Sequence, residues 1–379
     1  MESSPILALK EHFAQVDDPR VERTRLHRLI DILVIAVCAV ICGAESWDDI
    51  AEFGEVKQDW FATFLELPNG IPSHDTFNRV FAALNPEQFR QAFLNWMRTV
   101  LPVLPEQVIA LDGKTIRRSH DTWNEKPAIH LVSAWASATG FVLAQTKVDD
   151  KSNEITAIPE VLRCLAIKGC VVTLDAMGCQ RAIAQQIVSQ EGDYVLALKE
   201  NQETLYEEVI DCFTQADAGD DDAARPTWHE EVSKGHGRLE IRRHTVIAAP
   251  DYLAWLQEEH AWPGLQAIGR VQAERRMGQE RSSETRYYLL SQVMTAEQFG
   301  RAVRRHWSIE NNVHWVLDMV FHEDLSRIRA GYAAENFAVL RHIALNLLNQ
   351  ETSKRQSIRS KRLKAGWSND YLVHLLHQL

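Results

Sequence analysis

The sequence predicts an α/β fold, a mixed sheet layered with helices, preceded by an all-helical N-terminal segment. Three observations predict it. Between residues 108 and 198, short apolar runs rich in β-branched residues alternate with helix-patterned segments. Before about residue 104, apolar residues recur instead at spacings of three and four. Beyond the acidic stretch 215–226 come further strand-like runs separated by turn signals, and from Thr295 the chain is helical again.

A chain of 379 residues, 45% hydrophobic and 25% charged, can hold more than one domain around a sizeable core. Three parts are expected: a helical domain over 1–104, an α/β domain over 105–350, and a basic tail over 351–379. In the first part, ILVIAVCAVICGA (residues 32–44) is the longest apolar run, bracketed by Asp31 and Glu45. It is short of the ~20 residues that cross a bilayer and lies too far along the chain for a signal peptide. It reads as a buried helix, and no membrane partner is expected. Ser73, or His74 with Asp75, is placed to cap the next helix. NPEQFRQAFLNWMRTVL opens with Asn85 as N-cap and Pro86 at the first helical position. Pro102 and Pro105 end that pattern. The six cysteines are scattered without a CxxC pair, which suits free thiols in a reducing cytoplasm.

From Gln107 the period changes to strands. VIALDGKTIRRS is followed by HLVSAWASATG and FVLAQTKVD, with Thr139-Gly140 as a hairpin turn. SNEITAIPEVLRCL is a helix capped by Ser152 or Asn153. CVVTLDAMG is a strand, CQRAIAQQIVSQEG a helix closed by Gly192, and DYVLALKEN a strand. The adjacent acids at 220–222 read as solvated loop residues rather than a metal site.

The GKT at 113–115 raises the possibility of a phosphate-binding loop. That motif needs a glycine at 108, where Val108 stands, and it should open a helix, whereas TIRRS reads as continuing strand. The aspartate before it is more informative. Asp112 ends an apolar run, and Asp175 ends another in VVTLDAMG. A salt bridge from Asp112 to Lys114 or Arg117 is the plainest account of the first. If the two strands are neighbours, however, both carboxylates emerge side by side at the sheet centre. They then repel unless a cation sits between them. Few, hard oxygen ligands suit Mg²⁺ or Mn²⁺. A third acid is available in RRHWSIENNVHWVLD, where Glu310 lies among apolar and aromatic neighbours, with Asp318, Glu323 and Asp324 as competitors. His306 and His314 share its helical face and read as packed residues rather than ligands. Two strand acids and a helix acid describe a two-metal phosphodiester site.

The blocks IALDGKTIRRS, DKSNEITAIPE, TLDAMGCQ, YVLALKENQ, KGHGRLEIR, RYYLLS and RRHWSIENNVHWVLDMVFHED, in this order, resemble the H-repeat-associated family of bacterial insertion-sequence transposases. DPRVERTRLHRLIDILVIAVCAVICGAESW and GIPSHDTFNRVF resemble that family's associated helical domain. The resemblance implies a DDE-class enzyme with an RNase H-like core. Asp112, Asp175 and Glu310 would be its catalytic and metal-binding acids, and the strands of about 202–294 a β-rich insertion. The acids are separated by 63 and then 135 residues, which leaves room for that insertion. The implied activity is metal-dependent cleavage at element ends and transfer of the 3′-hydroxyl to target DNA. Double-stranded DNA would be the partner, a homo-oligomer the assembly, and the nucleoid the location. A catalytically inactive DNA-binding remnant and a nuclease without strand transfer are the alternatives.

The wider superfamily carries Tyr, Arg and Lys around the glutamate, at positions occupied here by Val303, His306 and Leu317. His306, in the arginine position, is expected to touch phosphate, as are Arg304 and Arg305 beside it and Lys114, Arg117 and Arg118 beside the first acid. The net charge of −11 confines basic surface to patches, expected around 20–28 and in the tail 353–366.

Overall fold

The computed structural model describes residues 7–100, 107–120, 127–148, 153–219, 225–235, 237–248 and 253–377. The expected cap Ser152, the acids at 220–222 and the prolines at 102 and 105 lie outside them.

Six helices come first: α1 (Leu7–Phe13), α2 (Leu29–Cys42), α3 (Trp47–Val56), α4 (Gln58–Phe61), α5 (His74–Ala83) and α6 (Pro86–Val100). Their ends follow local chemistry. Ser46 and Asp49 form a capping box on α3, and Ser73 caps α5. Asn85 Oδ1 accepts from the amides of Glu87 and Gln88 at the head of α6. Gly43, at φ 119°, closes α2. Strands β1 (Val108–Thr115), β2 (His130–Ala136) and β3 (Phe141–Lys147) form an antiparallel meander, with Gly140 at φ 76° in its second turn. Then α7 (Glu154–Cys164), capped by Asn153, leads to β4 (Val171–Leu174), and α8 (Arg181–Ser189) leads to β5 (Asp193–Leu198). Both β4 and β5 run parallel to β1. This is the RNase H-like core that the resemblance implies. Helix α8 ends differently from expectation: Glu191 takes the left-handed turn at φ 59°, while a Cβ on Gly192 would sit tightly, 3.1 Å from Ile167.

After α9 (Glu203–Ala218) come β6 (Thr227–Gly235), β7 (Arg238–Ile247), α10 (Ala254–His260), β8 (Ala267–Met277) and β9 (Glu280–Leu290). These strands extend the core. β9 pairs antiparallel with β5, so a single nine-stranded sheet runs β3-β2-β1-β4-β5-β9-β8-β7-β6. The expected insertion is therefore continuous with the core sheet rather than a separate sheet. The chain closes with α11 (Ala296–His306), α12 (Trp315–Met319), α13 (Ala333–Gln350), α14 (Ile358–Trp367) and α15 (Asn369–His377).

Helix α13 joins the helical segment to the sheet. Its Asn336 Nδ2 donates to the carbonyls of Phe81 and Leu84 at the end of α5. Its Asn346 amide bonds both the N–H and the C=O of Val142 on edge strand β3, at 2.9 Å each. Unpaired edge groups are thereby satisfied internally. One apolar cluster runs from α1 to α15, including Ile35, Phe81, Ala144, Leu196 and Leu345. Among the described residues no single helix is long and apolar enough to cross a membrane.

Most of the expected basic tail is helix, in α14 and α15. Lys361 Nζ donates to the carbonyls of Leu348 and Glu351, and Arg362 to those of Val40 and Val320. Both are buried. These two cations satisfy helix C-terminal carbonyls and are withdrawn from the surface. Around residues 20–28, Arg20 and Arg25 pair with Asp18 and Arg28 with Glu66, so much of that patch is neutralised locally.

Candidate active site

The site forms where β1 outruns its neighbour. Pairing of β1 with β4 is in register from Val108–Val171 to Ala110–Thr173. Two residues further on stand Asp112, still within β1 and on the face of Ala110 by the two-residue period, and Asp175, one residue past the end of β4. β4 has ended at Leu174, while β1 continues to Thr115, paired only with β2. Asp112 thus lies within a strand rather than at its tip, at the point where the sheet opens on one side. The chain then turns through a short 3₁₀ segment, Arg117–Ser119, instead of continuing as strand.

The third acid comes from across that face. The expected single helix over this region is interrupted: α11 ends at His306, and Glu310–His314 form a π-helical turn before α12. Such turns cost hydrogen-bond regularity and recur at functional sites. Here the turn aims Glu310 and His314 at β1. His314 Nδ1 lies 3.0 Å from Glu310 Oε2 and 3.5 Å from Asp112 Oδ2. Ligand atoms of Asp112, Glu310 and His314 all fall within 4.8 Å of one another. Asp175 stands outside that tight group but within electrostatic reach of Asp112.

Burial pushes the Asp112 carboxyl up to about 7, helped by the charges of Asp175, Glu154 and Glu310 and opposed by the Gly113 amide, which donates to it. Asp175 is also raised by burial and by Glu154, against the amide of Gly178. His314 is lowered by burial, so its Nδ1–H donates to the carboxylates as a neutral imidazole, while its buried Nε2 has no hydrogen-bond partner among the described residues. Several carboxylates converge, and the cation whose charge reaches them, Lys199, acts on Asp175. Lys114, the obvious candidate, is turned away: its Nζ lies 2.7 Å from Asp318, 2.9 Å from Glu323 and 3.6 Å from Asp324. A half-buried set of oxygen ligands that repel one another fits a divalent cation.

Glu154 is the residue that the sequence left unmarked. It opens α7 and accepts from His130 Nε2 at 2.7 Å, while His130 Nδ1 contacts Thr115 Oγ1 at 2.7 Å. The pair passes so close to β1 that a Cβ on Gly113 would lie 2.2 Å from Glu154 Oε1 and 2.6 Å from His130 Nε2. Glycine after an aspartate was the available signal for that approach. In Gly113→Ala the Glu154 carboxylate must swing aside and break this bond. The loss outweighs what alanine gains in a strand, so urea unfolding is expected to show about 1 kcal/mol of destabilisation.

The expected phosphate contacts are partly corrected. His306 is buried, with Nδ1 3.0 Å from Thr173 Oγ1, and burial lowers its pKa to about 4. Buried and uncharged, it packs α11 onto β4 through Thr173, which does not fit the expected charged contact to phosphate. Val303 and Leu317 are core residues. Lys114 is held in its three-acid clamp. Arg117 pairs with Asp324 but stays mostly exposed, as does Arg118. Arg304 pairs with Glu231 at 3.2 Å, and Arg305 is exposed.

Residues 104–347 match the family described as "Transposase DDE domain", and residues 10–97 the family described as "DDE_Tnp_1-associated". Over 372 residues the chain is 41% identical to the "H repeat-associated putative transposase YhhI" of Escherichia coli (strain K12), covering 97% of each. It is 45% identical over 287 residues to an uncharacterised protein in the dhlA 3′ region of Xanthobacter autotrophicus, 74% of this chain and 94% of that one. Among solved structures, a piggyBac transposase synaptic complex with hairpin DNA aligns over 98% of this chain and 80% of that one, with a TM-score of 0.45 and 12% identity. With both parts of its length matched in this way, the chain belongs to the H repeat-associated transposases of the DDE class.

Proposed function

We propose that this transposase hydrolyses the phosphodiester bond at its element's ends and joins the freed 3′-hydroxyl to target DNA, with Asp112, Asp175 and Glu310 as its catalytic acids. The observation that supports the reading is the meeting of Asp112, from the open stretch of β1, with Glu310, from the π-helical turn, with Asp175 just past the end of β4 and within electrostatic reach of Asp112. Bound Mg²⁺ or Mn²⁺ would activate the attacking oxygen and stabilise the leaving one. Asp112 and Glu310 would hold one ion, and Asp175 would share the other with Asp112. His314 is a positioning residue: its Nδ1 reaches both Glu310 and Asp112 and holds the two carboxyl groups side by side. The partner is double-stranded DNA, engaged as a homo-oligomer because two ends must be held together, in the cytoplasm at the nucleoid.

The test uses a supercoiled plasmid carrying the DNA that flanks the gene, with Mg²⁺ or Mn²⁺. Nicked and joined products are expected from the native protein, and Asp175→Asn and Glu310→Gln should each lower nicking by about a thousand-fold. Cleavage persisting in either variant removes that acid from the site. Nicking without joined products would favour a nuclease, and DNA binding without nicking under either metal would favour an inactive remnant.

A further inference from the structure

The nine-stranded sheet has two edges, and they are finished differently. At β3 the side-chain amides of α13 cover the edge: Asn346 bonds Val142, and Asn349 Nδ2 donates to the carbonyl of Gly140 at 2.8 Å. At the other edge β6 pairs only with β7 among the described residues, in an unbroken antiparallel register from Thr227–Val246 to Gly235–Arg238. A nine-residue edge strand with its outward N–H and C=O groups open is a template for a further strand. The two faces of β6 differ as well. His229, Glu231 and Ser233 are half-buried, and Glu231 is bonded by Arg304 of α11. Trp228, Glu230, Val232 and Lys234 alternate with them on the opposite face and are exposed, Val232 by 60% and Trp228 by 65%.

Charged side chains on an edge strand often serve to keep other strands away. Two large apolar residues left open among them do not suit that purpose. The order of the charges fits one particular partner instead. If a two-fold axis passes through Val232, residues 229–235 of two copies pair antiparallel. Val232 then meets itself, and Glu230 meets Lys234 twice, once on each side of the axis. An axis through Glu230 or Glu231 would set a glutamate against itself, and one through Ser233 would set Lys234 against Val232. Opposite charges and β-branched residues placed directly across from each other stabilise paired strands, whereas like charges there destabilise them. Glu230 lies 3.0 Å from Arg243 within its own hairpin and stays exposed, and Lys234 has no ion-pair partner among the described residues. Such an edge is self-complementary, which is what a two-fold interface requires. We propose that β6 is the interface with a second copy of this chain, joining the two nine-stranded sheets edge to edge about Val232. The inference rests on the homo-oligomer of the reading above and gives that assembly its surface.

Association can be measured apart from cleavage, on the full chain without DNA or metal. Sedimentation velocity over a dilution series reports the monomer–dimer equilibrium, with melting curves to confirm that each variant folds. The native protein is expected to dimerise. Val232→Lys, Glu230→Lys and Lys234→Glu should each weaken the dimer about ten-fold, because each sets like charges across the axis or removes its apolar centre. The decisive sample is an equimolar mixture of Glu230→Lys with Lys234→Glu. Each variant repels its own copy, but across a mixed pair every position 230 again faces an opposite charge at 234, so the mixture should recover the dimer. A native protein that stays monomeric, a native dimer that none of the three substitutions weakens, or a mixture no more associated than its separate components would overturn the β6 interface. The nicking assay decides the transposase reading independently: a dimer with this behaviour that never nicks DNA would keep the interface and lose that reading, and a native monomer that nicks and joins would do the reverse.

Discussion

Asp112→Asn is expected to melt higher than the native protein at pH 8 in EDTA, and to nick no DNA. The two effects have one cause. Burial, with Asp175, Glu154 and Glu310 nearby, keeps the Asp112 carboxyl protonated up to about pH 7 in the folded state. In the unfolded chain it ionises near 3.8. Between those values the native state binds more protons than the unfolded one, so stability falls as pH rises, and above 7 the full penalty is present. The shift sets a ceiling of about 4 kcal/mol, and solvent at this partly exposed group reduces it to roughly 1–3 kcal/mol. Asparagine keeps the acceptor for the Gly113 amide and removes the charge. Its stabilisation should therefore appear at pH 8 and vanish at pH 4. Adding Mn²⁺ at pH 8 should raise the melting temperature of the native protein and leave the variant unmoved, because only the native set gains a cation between its carboxylates. An equal gain at both pH values, or nicking by the variant, would remove Asp112 from the metal site.

How much of this was legible in the sequence depends on the range of the interaction concerned. Local chemistry was readable: the caps Ser73, Asn85 and Asn153, the Gly140 turn and the apolar core of α2 all follow from a residue and its near neighbours. Asp112 and Asp175 were legible because each closes an apolar run that a charge should avoid. The destination of β6–β9 was not, because the pairing of Leu196 with Leu289 that fuses them to the core spans almost a hundred residues and leaves no local pattern. Nor was the π-helical turn: its insertion rotates Glu310 and His314 off the regular 3.6-residue spiral, and nothing in ENNVH announces it. His306 was misread for a related reason. Its neighbours Arg304 and Arg305 are exposed, but the face it occupies packs on Thr173, a contact set by how α11 crosses the sheet. Lys361 and Arg362 looked like solvated tail charges because helix C-terminal carbonyls, which take them up, are invisible in composition.

Glu323→Gln is expected to cost about 3–5 kcal/mol in urea unfolding at pH 7–8, the largest loss among these variants. Glu323 is fully buried and faces two cations, Lys114 Nζ at 2.9 Å and Arg341 Nη1 at 3.5 Å, the latter also buried. Burial opposes its ionisation, but Arg341 and Lys114 prevail and hold its pKa below the ordinary value. Its contribution is therefore complete above about pH 4.5 and is lost only as pH falls through the lower native value. Removing the charge leaves two buried cations with one fewer partner. Lys114→Met removes a cation from the same cluster and strands the acids instead. The two substitutions combined should cost less than the sum of the singles, because each relieves part of the imbalance that the other creates. Strict additivity would mean that the cluster contributes through packing alone. There is also a functional readout. Lys114 lies two residues beyond Asp112, and its clamp on Asp318 and Glu323 fixes the chain that follows the π-helical turn. Glu323→Gln should thus reduce nicking at temperatures where the variant is still folded, since the segment that aims Glu310 at β1 is left with a weaker anchor on that strand, through Asp318 and Asp324 alone.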